Sequence, residues 1–136
     1  MNGILVDSCV LLDIFTSDPN WADWSESTLD KYDRTNTLYI NTIVYTEVSI
    51  GFKRIETLEE TIGELEVKVL EIPREALFLV GKAFVKYKQR QGQKRSPLPD
   101  FFIGAHAAVS ELTLITRDIN RYRTYLPSVN LIHPGQ

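Results

Sequence analysis

The 136-residue sequence contains one cysteine, Cys9, and two histidines. One thiol excludes an intramolecular disulfide, and no Cys/His cluster has zinc-ligand spacing. A structural zinc site is therefore not expected, and a reducing, cytoplasmic setting is. Long apolar runs are also missing. The longest, from Ala76 to Val85, is broken by Lys82, which argues against a membrane span. The apolar start MNGILVDSCVLLDIF lacks basic residues ahead of its hydrophobic stretch and carries Asp7 and Asp13, which fits neither a signal peptide nor an anchor. There is no internal repeat, low-complexity tract or linker. Glycine (7) and proline (6) are too few, and hydrophobic residues at 43% too many, for a disordered or collagen-like chain. Length and composition predict one folded domain spanning residues 1–136.

An excess of positive charge is lacking too. Fifteen Lys and Arg against eighteen Asp and Glu leave a net charge of -3, which argues against a nucleic-acid partner if charge is spread evenly. It is not. Ile55–Glu66 holds five glutamates and no Lys or Arg, whereas no acid occurs between Glu75 and Asp100.

Short apolar runs of strand length recur at GILV before Asp7, LYI at 38–40, VKVLEI at 67–72, LTLIT at 112–116 and VNLI at 129–132. Between them lie stretches of helical apolar spacing. Several open on good caps: Ser17 or Asp18 before Pro19, Asn41 or Thr42 before Ile43, and Pro99. Alternating strands and helices, with strands too apolar for a wet face, predict an α/β fold whose central, mostly parallel five-stranded sheet is covered on both sides. Gln89–Pro99 reads as the one mobile loop.

In parallel α/β sheets chemistry gathers beyond the carboxyl ends of strands. Asp7 closes GILV, and Asp118 follows LTLIT with only Arg117 between. Each also has a plain structural reading, as helix cap or turn former. Glu47, inside IVYTEVSIGF, shares a helical face with Ile43, Val44, Ile50 and Gly51. An acid on an apolar stripe asks for a cation, unless it sits on an exposed face or in a salt bridge. Asp100 shares its face with Ile103, Gly104 and Ala107, pointing it inward, although an acid in a first helical turn is also favoured by the helix dipole. Four converging carboxylates repel one another unless a divalent cation neutralises them, and all-oxygen ligation favours Mg²⁺ or Mn²⁺. One such ion brings the formal charge from -3 to -1, and two bring it to +1. A carboxylate-held metal pair suits phosphodiester hydrolysis.

At these residues the chain resembles the PIN-domain ribonucleases, and within them the VapC-type toxins of toxin–antitoxin pairs. The motifs are Asp7-Ser8, Glu47 with Gly51, Asp100 with Phe102-Ile103-Gly104-Ala105-His106-Ala107, and Leu114-Ile115-Thr116-Arg117-Asp118 followed by Arg121-Tyr122. The resemblance implies a PIN-like α/β/α sandwich, a Mg²⁺- or Mn²⁺-dependent endoribonuclease that hydrolyses RNA, and inhibition by a cognate antitoxin. It makes Asp7, Glu47, Asp100 and Asp118 the catalytic and metal-binding acids. Ser8 and Thr116 are supporting hydroxyls, read alternatively as a helix cap and an ordinary strand residue. A non-catalytic RNA- or protein-binding module on the same fold is the main rival. A phospho-receiver domain ranks below it, because Asp7 is followed by Ser8 rather than a second acid, and VNLI by His133-Pro134 rather than a lysine.

Lys82, Lys86 and Arg90 form a basic stripe on a helix from about Arg74 onward, set opposite Leu77, Val80 and Phe84. Continued through Lys94 and Arg95, it could guide RNA phosphates toward Asp100. Arg117, Arg121 and Arg123 with Tyr122 and Tyr125 form a second group. Its arginines could hold phosphates and its tyrosines could stack on an unpaired base, although packing of the tyrosines under the last strand is preferred. His106, off the Asp100 face, reads as structural, and His133 is uninformative. Trp21, Trp24 and Tyr32 read as core or interface, and Cys9 as a buried small hydrophobe. The Ile55, Leu58, Ile62, Leu65 stripe packs on its own sheet or meets a second subunit, suggesting a homodimer, or an antitoxin helix.

Overall fold

The computed structural model describes residues 3–90 and 98–135. Five parallel strands, β1 (Gly3–Val6), β2 (Thr37–Asn41), β3 (Lys68–Leu70), β4 (Thr113–Ile115) and β5 (Leu131–Ile132), form one sheet in the order β3-β2-β1-β4-β5. The helices are α1 (Ser8–Phe15), α2 (Ala22–Asp33), α3 (Thr42–Ser49), α4 (Ile55–Leu65), α5 (Arg74–Gln89), α6 (Leu98–Val109) and α7 (Asn120–Tyr125). The fold is the expected α/β one, built on a central parallel five-stranded sheet, and no described helix is long and apolar enough to cross a membrane. Gln91–Pro97, most of the loop expected between α5 and α6, lies outside the described residues.

The apolar strand β1 sits at the centre because all four of its residues are buried. The register Leu5↔Tyr39 on one side and Leu5↔Leu114 on the other gives it two neighbours. The chain winds outward from β1 to β2 and β3, then returns to place β4 on β1's other side. That reversal between β1 and β4 is the switch point at which a parallel sheet opens a crevice at its carboxyl edge. The edge strand β3 departs from the expectation of fully covered strands, with Lys68 exposed and Val69 43% exposed.

Caps fix where the helices begin. The Asn41 side chain accepts from the Ile43 and Val44 N–H groups, both at 3.0 Å, and starts α3 directly off β2. Asp18 accepts from the Asn20 and Trp21 amides at 2.8 and 2.9 Å, holding the turn before α2. On α5 the buried stripe is Ala76, Val80, Ala83 and Tyr87. Of the apolar residues expected to cover it, Val80 is buried and Phe84 half-buried, but Leu77 is 44% exposed. Phe78 (70%) and Val85 (52%) also face solvent. Helical spacing then puts Lys82, Lys86 and Arg90 along the flank of the buried stripe rather than opposite it.

Candidate active site at the carboxyl edge of the sheet

Asp7 is the first residue past β1, and its backbone N–H continues the pairing with β4 by donating to the Ile115 carbonyl at 2.9 Å. Its carboxylate is 4% exposed and is held by three donors. The Ser8 amide donates to Oδ1 at 2.8 Å. The Thr116 hydroxyl (2.7 Å) and the Tyr122 hydroxyl (2.8 Å) both donate to Oδ2. Asp7 is therefore both the N-cap of α1 and a buried anion at the switch point. Burial pushes its pKa up from 3.8 to about 6. The Thr116 bond opposes that rise, the nearby Asp100 charge adds to it, and the Tyr122 and Ser8 bonds oppose it further.

The other acids join through hydroxyls. Ser8 sends its single proton to Glu47 Oε1 at 2.7 Å, linking α1 to α3. The Tyr122 oxygen, 2.8 Å from Asp7, is also 3.5 Å from Asp100 Oδ1, linking α7 to α6. Thr116 accepts from the Asp118 backbone N–H at 3.1 Å, tying the turn after β4 to Asp7. Carboxylates and hydroxyls thus alternate around the crevice. Among the described residues no three His, Cys, Asp or Glu side chains are drawn close enough to form a ready-made metal cage, and the Ser8 and Tyr122 hydroxyls stand between the acids. Ser8 is the first residue of α1 with its hydroxyl on Glu47, and Thr116 is fully buried with its hydroxyl on Asp7.

The structure gathers Asp7, Glu47 and Asp100 in this way. The Asp118 backbone is fastened to the site, but its side chain is exposed, and among the described residues no hydrogen bond joins its carboxylate to the other three. Glu47 is half-buried, with Val44 and Val48 buried on its helix. The expected apolar stripe is shorter than spacing implied: α3 ends at Ser49, which leaves Ile50 84% exposed and Gly51 in the following turn.

The contact of Tyr122 with the carboxylates and the part played by Asp13 were not expected. Tyr122, expected to pack under the last strand, is 1% exposed, and its phenol ends between two carboxylates. Its pKa lies well above 10 because of burial and then the charges of Asp7 and Asp100. Gly104, one helical turn after Asp100, makes room for it: an added Cβ would lie 2.9 Å from Tyr122 Cδ1 and 2.4 Å from Leu126 Cδ1. Asp13 is 3% exposed in α1 and receives the Arg117 guanidinium as a fork, Nε to Oδ2 at 2.7 Å and one terminal N–H to Oδ1 at 2.8 Å. The Ser25 hydroxyl adds a bond at 2.9 Å, and Arg117 lies 5.2 Å over the Trp21 ring. Arg117, read from sequence as a phosphate ligand, is thereby committed to an internal ion pair that braces the turn carrying Thr116 and Asp118. An acid inside the apolar run VLLDIF was the available signal for Asp13, by the reasoning applied to Glu47. For Tyr122 the signal was its place in the Arg121-Tyr122 pair after Asp118, which marked the residue but not its contact with Asp7.

His106 is structural as expected. It is 2% exposed, its Nδ1 is 3.2 Å from the Asn41 side-chain nitrogen, and burial lowers its pKa. Cys9 is half-buried rather than fully buried, with its sulfur 3.9 Å from Thr116 Oγ1, and burial pushes its thiol up to about 12, which disfavours the thiolate. Lys82, Lys86 and Arg90 are exposed on α5. Lys82 stands 5.0 Å over Phe78 and Arg90 5.7 Å over Tyr125. Lys94, Arg95 and the Arg121 side chain lie outside the described residues.

Comparison with known proteins adds to this geometry. Residues 4–125 match the PIN domain family, while no curated protein sequence gives a significant match. Among solved structures, VapBC2 from Rickettsia felis, bound to a DNA fragment from its promoter, superposes with a TM-score of 0.75 at 18% identity, covering 96% of this chain and 98% of that one. A toxin–antitoxin complex from Klebsiella pneumoniae gives 0.70 at 22% identity, covering 98% of each chain. FitAcB from Neisseria gonorrhoeae gives 0.68 at 20% identity over 96% of this chain and 97% of that one. At these identities the likeness is one of fold.

Proposed function

Because the chain belongs to the PIN-domain family, we propose that it is a metal-dependent endoribonuclease, the toxin of a toxin–antitoxin pair. The observation that carries this reading is the buried Asp7 carboxylate at the sheet's switch point, tied through hydroxyls to Asp100 and Glu47. A buried carboxylate whose pKa is raised by desolvation and by a second acid is what a cation would relieve. The donors are all hard oxygens, which fits Mg²⁺ or Mn²⁺.

Asp7, Asp100 and Glu47 would hold the cation, with Asp118 reaching in from the turn after β4. When bound, the cation supplies Lewis acidity, polarising an RNA phosphodiester and making water a stronger nucleophile at neutral pH. The protein's own groups set the stage for that step. Ser8 and Thr116 orient Glu47 and Asp7, and the Asp13–Arg117 pair braces the turn that carries Thr116 and Asp118. Lys82, Lys86 and Arg90 offer phosphate contacts that are blind to sequence, and Lys94, Arg95 and Arg121 are proposed to extend them; Arg117 joins only with guanidinium valence that Asp13 leaves over.

The toxin assignment draws on fold neighbours solved as VapBC and FitAcB assemblies. An antitoxin or a second subunit has an apolar surface to use. A groove of about 280 Å³ runs between α3 and α4, lined by Tyr45, Phe52, Ile55 and Leu58, and Ile55 is 64% exposed.

The test is cleavage of single-stranded RNA by the purified chain with and without Mg²⁺ or Mn²⁺. Asp100→Asn and Asp7→Asn should each abolish turnover while keeping the fold. Metal-independent cleavage, or equal cleavage by wild type and either variant, would refute the mechanism. RNA protected but never cut would mark the chain as a binding module instead.

A further inference from the structure

We infer that the Tyr122 hydroxyl is a positioning group that stands in for the cation in the metal-free protein. It gives its one proton to Asp7, with Asp100 beside the same oxygen, and gives up that hydrogen bond when a divalent ion takes the two carboxylates. This rests on the proposed metal site.

Three observations carry the inference. First, the phenol oxygen lies between the carboxylates it would relate to a cation, 2.8 Å from Asp7 Oδ2 and 3.5 Å from Asp100 Oδ1. Second, the ring is fixed. It is 1% exposed and packed against Gly104 so closely that even a Cβ there would come within 2.9 Å of it, with Leu126 filling the same space. The oxygen therefore stays in place, and only its proton can turn. Third, Asp7 Oδ2 already accepts from Thr116 at 2.7 Å and from Tyr122 at 2.8 Å, so both its lone pairs are engaged. A cation approaching that oxygen from the Asp100 side meets the phenolic proton, and like partial charges exclude each other.

A group that stabilises the metal-free state more than the metal-bound state weakens metal binding by that difference, as linkage requires. Tyr122 thus has two opposed effects. It stabilises the Asp7 carboxylate beside Asp100 when no ion is present, and it lowers affinity for the ion. A tyrosine that merely packed would give neither effect, and one whose hydroxyl kept its bond in both states would stabilise the fold without changing the affinity.

Tyr122→Phe removes the oxygen and keeps the ring in its Gly104 cradle. The chelator-stripped full chain is titrated with Mn²⁺ by calorimetry at pH 7.5, and its metal-free melting temperature is measured. A hydrogen bond to a charged acceptor is strong enough that its release should tighten Mn²⁺ binding roughly tenfold in the variant, while the metal-free melting point falls by several degrees. Mg²⁺ should also produce a tyrosine ultraviolet difference band in the wild type that Tyr122→Phe lacks. Unchanged or weaker Mn²⁺ affinity in the variant overturns this inference and leaves the proposed nuclease site standing. Absence of Mn²⁺ uptake by the wild type overturns both.

Discussion

The Asp7 carboxylate makes metal-free stability depend on pH in an unusual direction. Its pKa is 3.8 when unperturbed and about 6 in the folded protein. The folded state therefore holds the proton more tightly, and stability is lost as pH rises through about 6. A shift of about two units, at 1.36 kcal/mol each, amounts to about 3 kcal/mol of destabilisation once Asp7 is ionised. For a chain of this length that corresponds to roughly 10 °C in melting temperature. The contribution is fully present as a penalty above the folded value and fully relieved below 3.8. In chelator, the wild type should melt higher at pH 5 than at pH 7.5. Asp7→Asn should lose this dependence and melt above the wild type at pH 7.5. The amide can still accept from the Ser8 N–H, and the Thr116 and Tyr122 hydroxyls can turn to accept from its NH₂ group. Adding Mg²⁺ should reverse the order, raising only the wild type. The assay is differential scanning calorimetry of both proteins from pH 5 to 8, with chelator and then with Mg²⁺. A flat wild-type profile, or an Asp7→Asn variant less stable than wild type at pH 7.5 in chelator, would refute the account of Asp7 as a strained buried anion.

Asp13→Ala should cost about 2–4 kcal/mol in urea denaturation, because it strips a forked ion pair and leaves Ser25 and a partly covered Arg117 without their acceptor. RNA cleavage should fall with it through the displaced Thr116–Asp118 turn. Gly104→Ala, which at an open helical position would stabilise by about 1 kcal/mol, should instead destabilise by about 1–3 kcal/mol, since its Cβ meets Leu126 and Tyr122. Thermal melts with a Gly81→Ala control, where a Cβ meets nothing within 4 Å, check the sign. Asn41→Ala removes the cap of α3 and the partner of the buried His106, and should lower stability by about 1–3 kcal/mol in the same melts.

Much of the fold was legible because each element buries one face and so writes its period into the sequence. All five strands lie within a residue of, or inside, the apolar runs that mark them, and Asn41 caps α3 as its residue type suggests. Misreadings fall where the period outlasts the element. Ile50 continues the α3 spacing after the helix has ended, and Leu77 faces solvent while Tyr87 takes the buried place on α5. Asp7 and Asp118 could be singled out because strand ends are recognisable. Their different surroundings, one buried under three donors and one exposed, could not be.

Order along the chain, by itself, determined the alternation of strands and helices, the acids at the ends of β1 and β4, and those on α3 and α6. These are local properties, set by side-chain periodicity and capping within a few residues. Only the tertiary structure decided which polar atoms meet. Ser8 finds Glu47 across 39 residues, Arg117 finds Asp13 across 104, and Tyr122 finds Asp7 across 115. Such contacts depend on the sheet reversing around β1 and on a missing Cβ at Gly104, and hydrogen-bond geometry between distant segments leaves no periodic trace in the sequence.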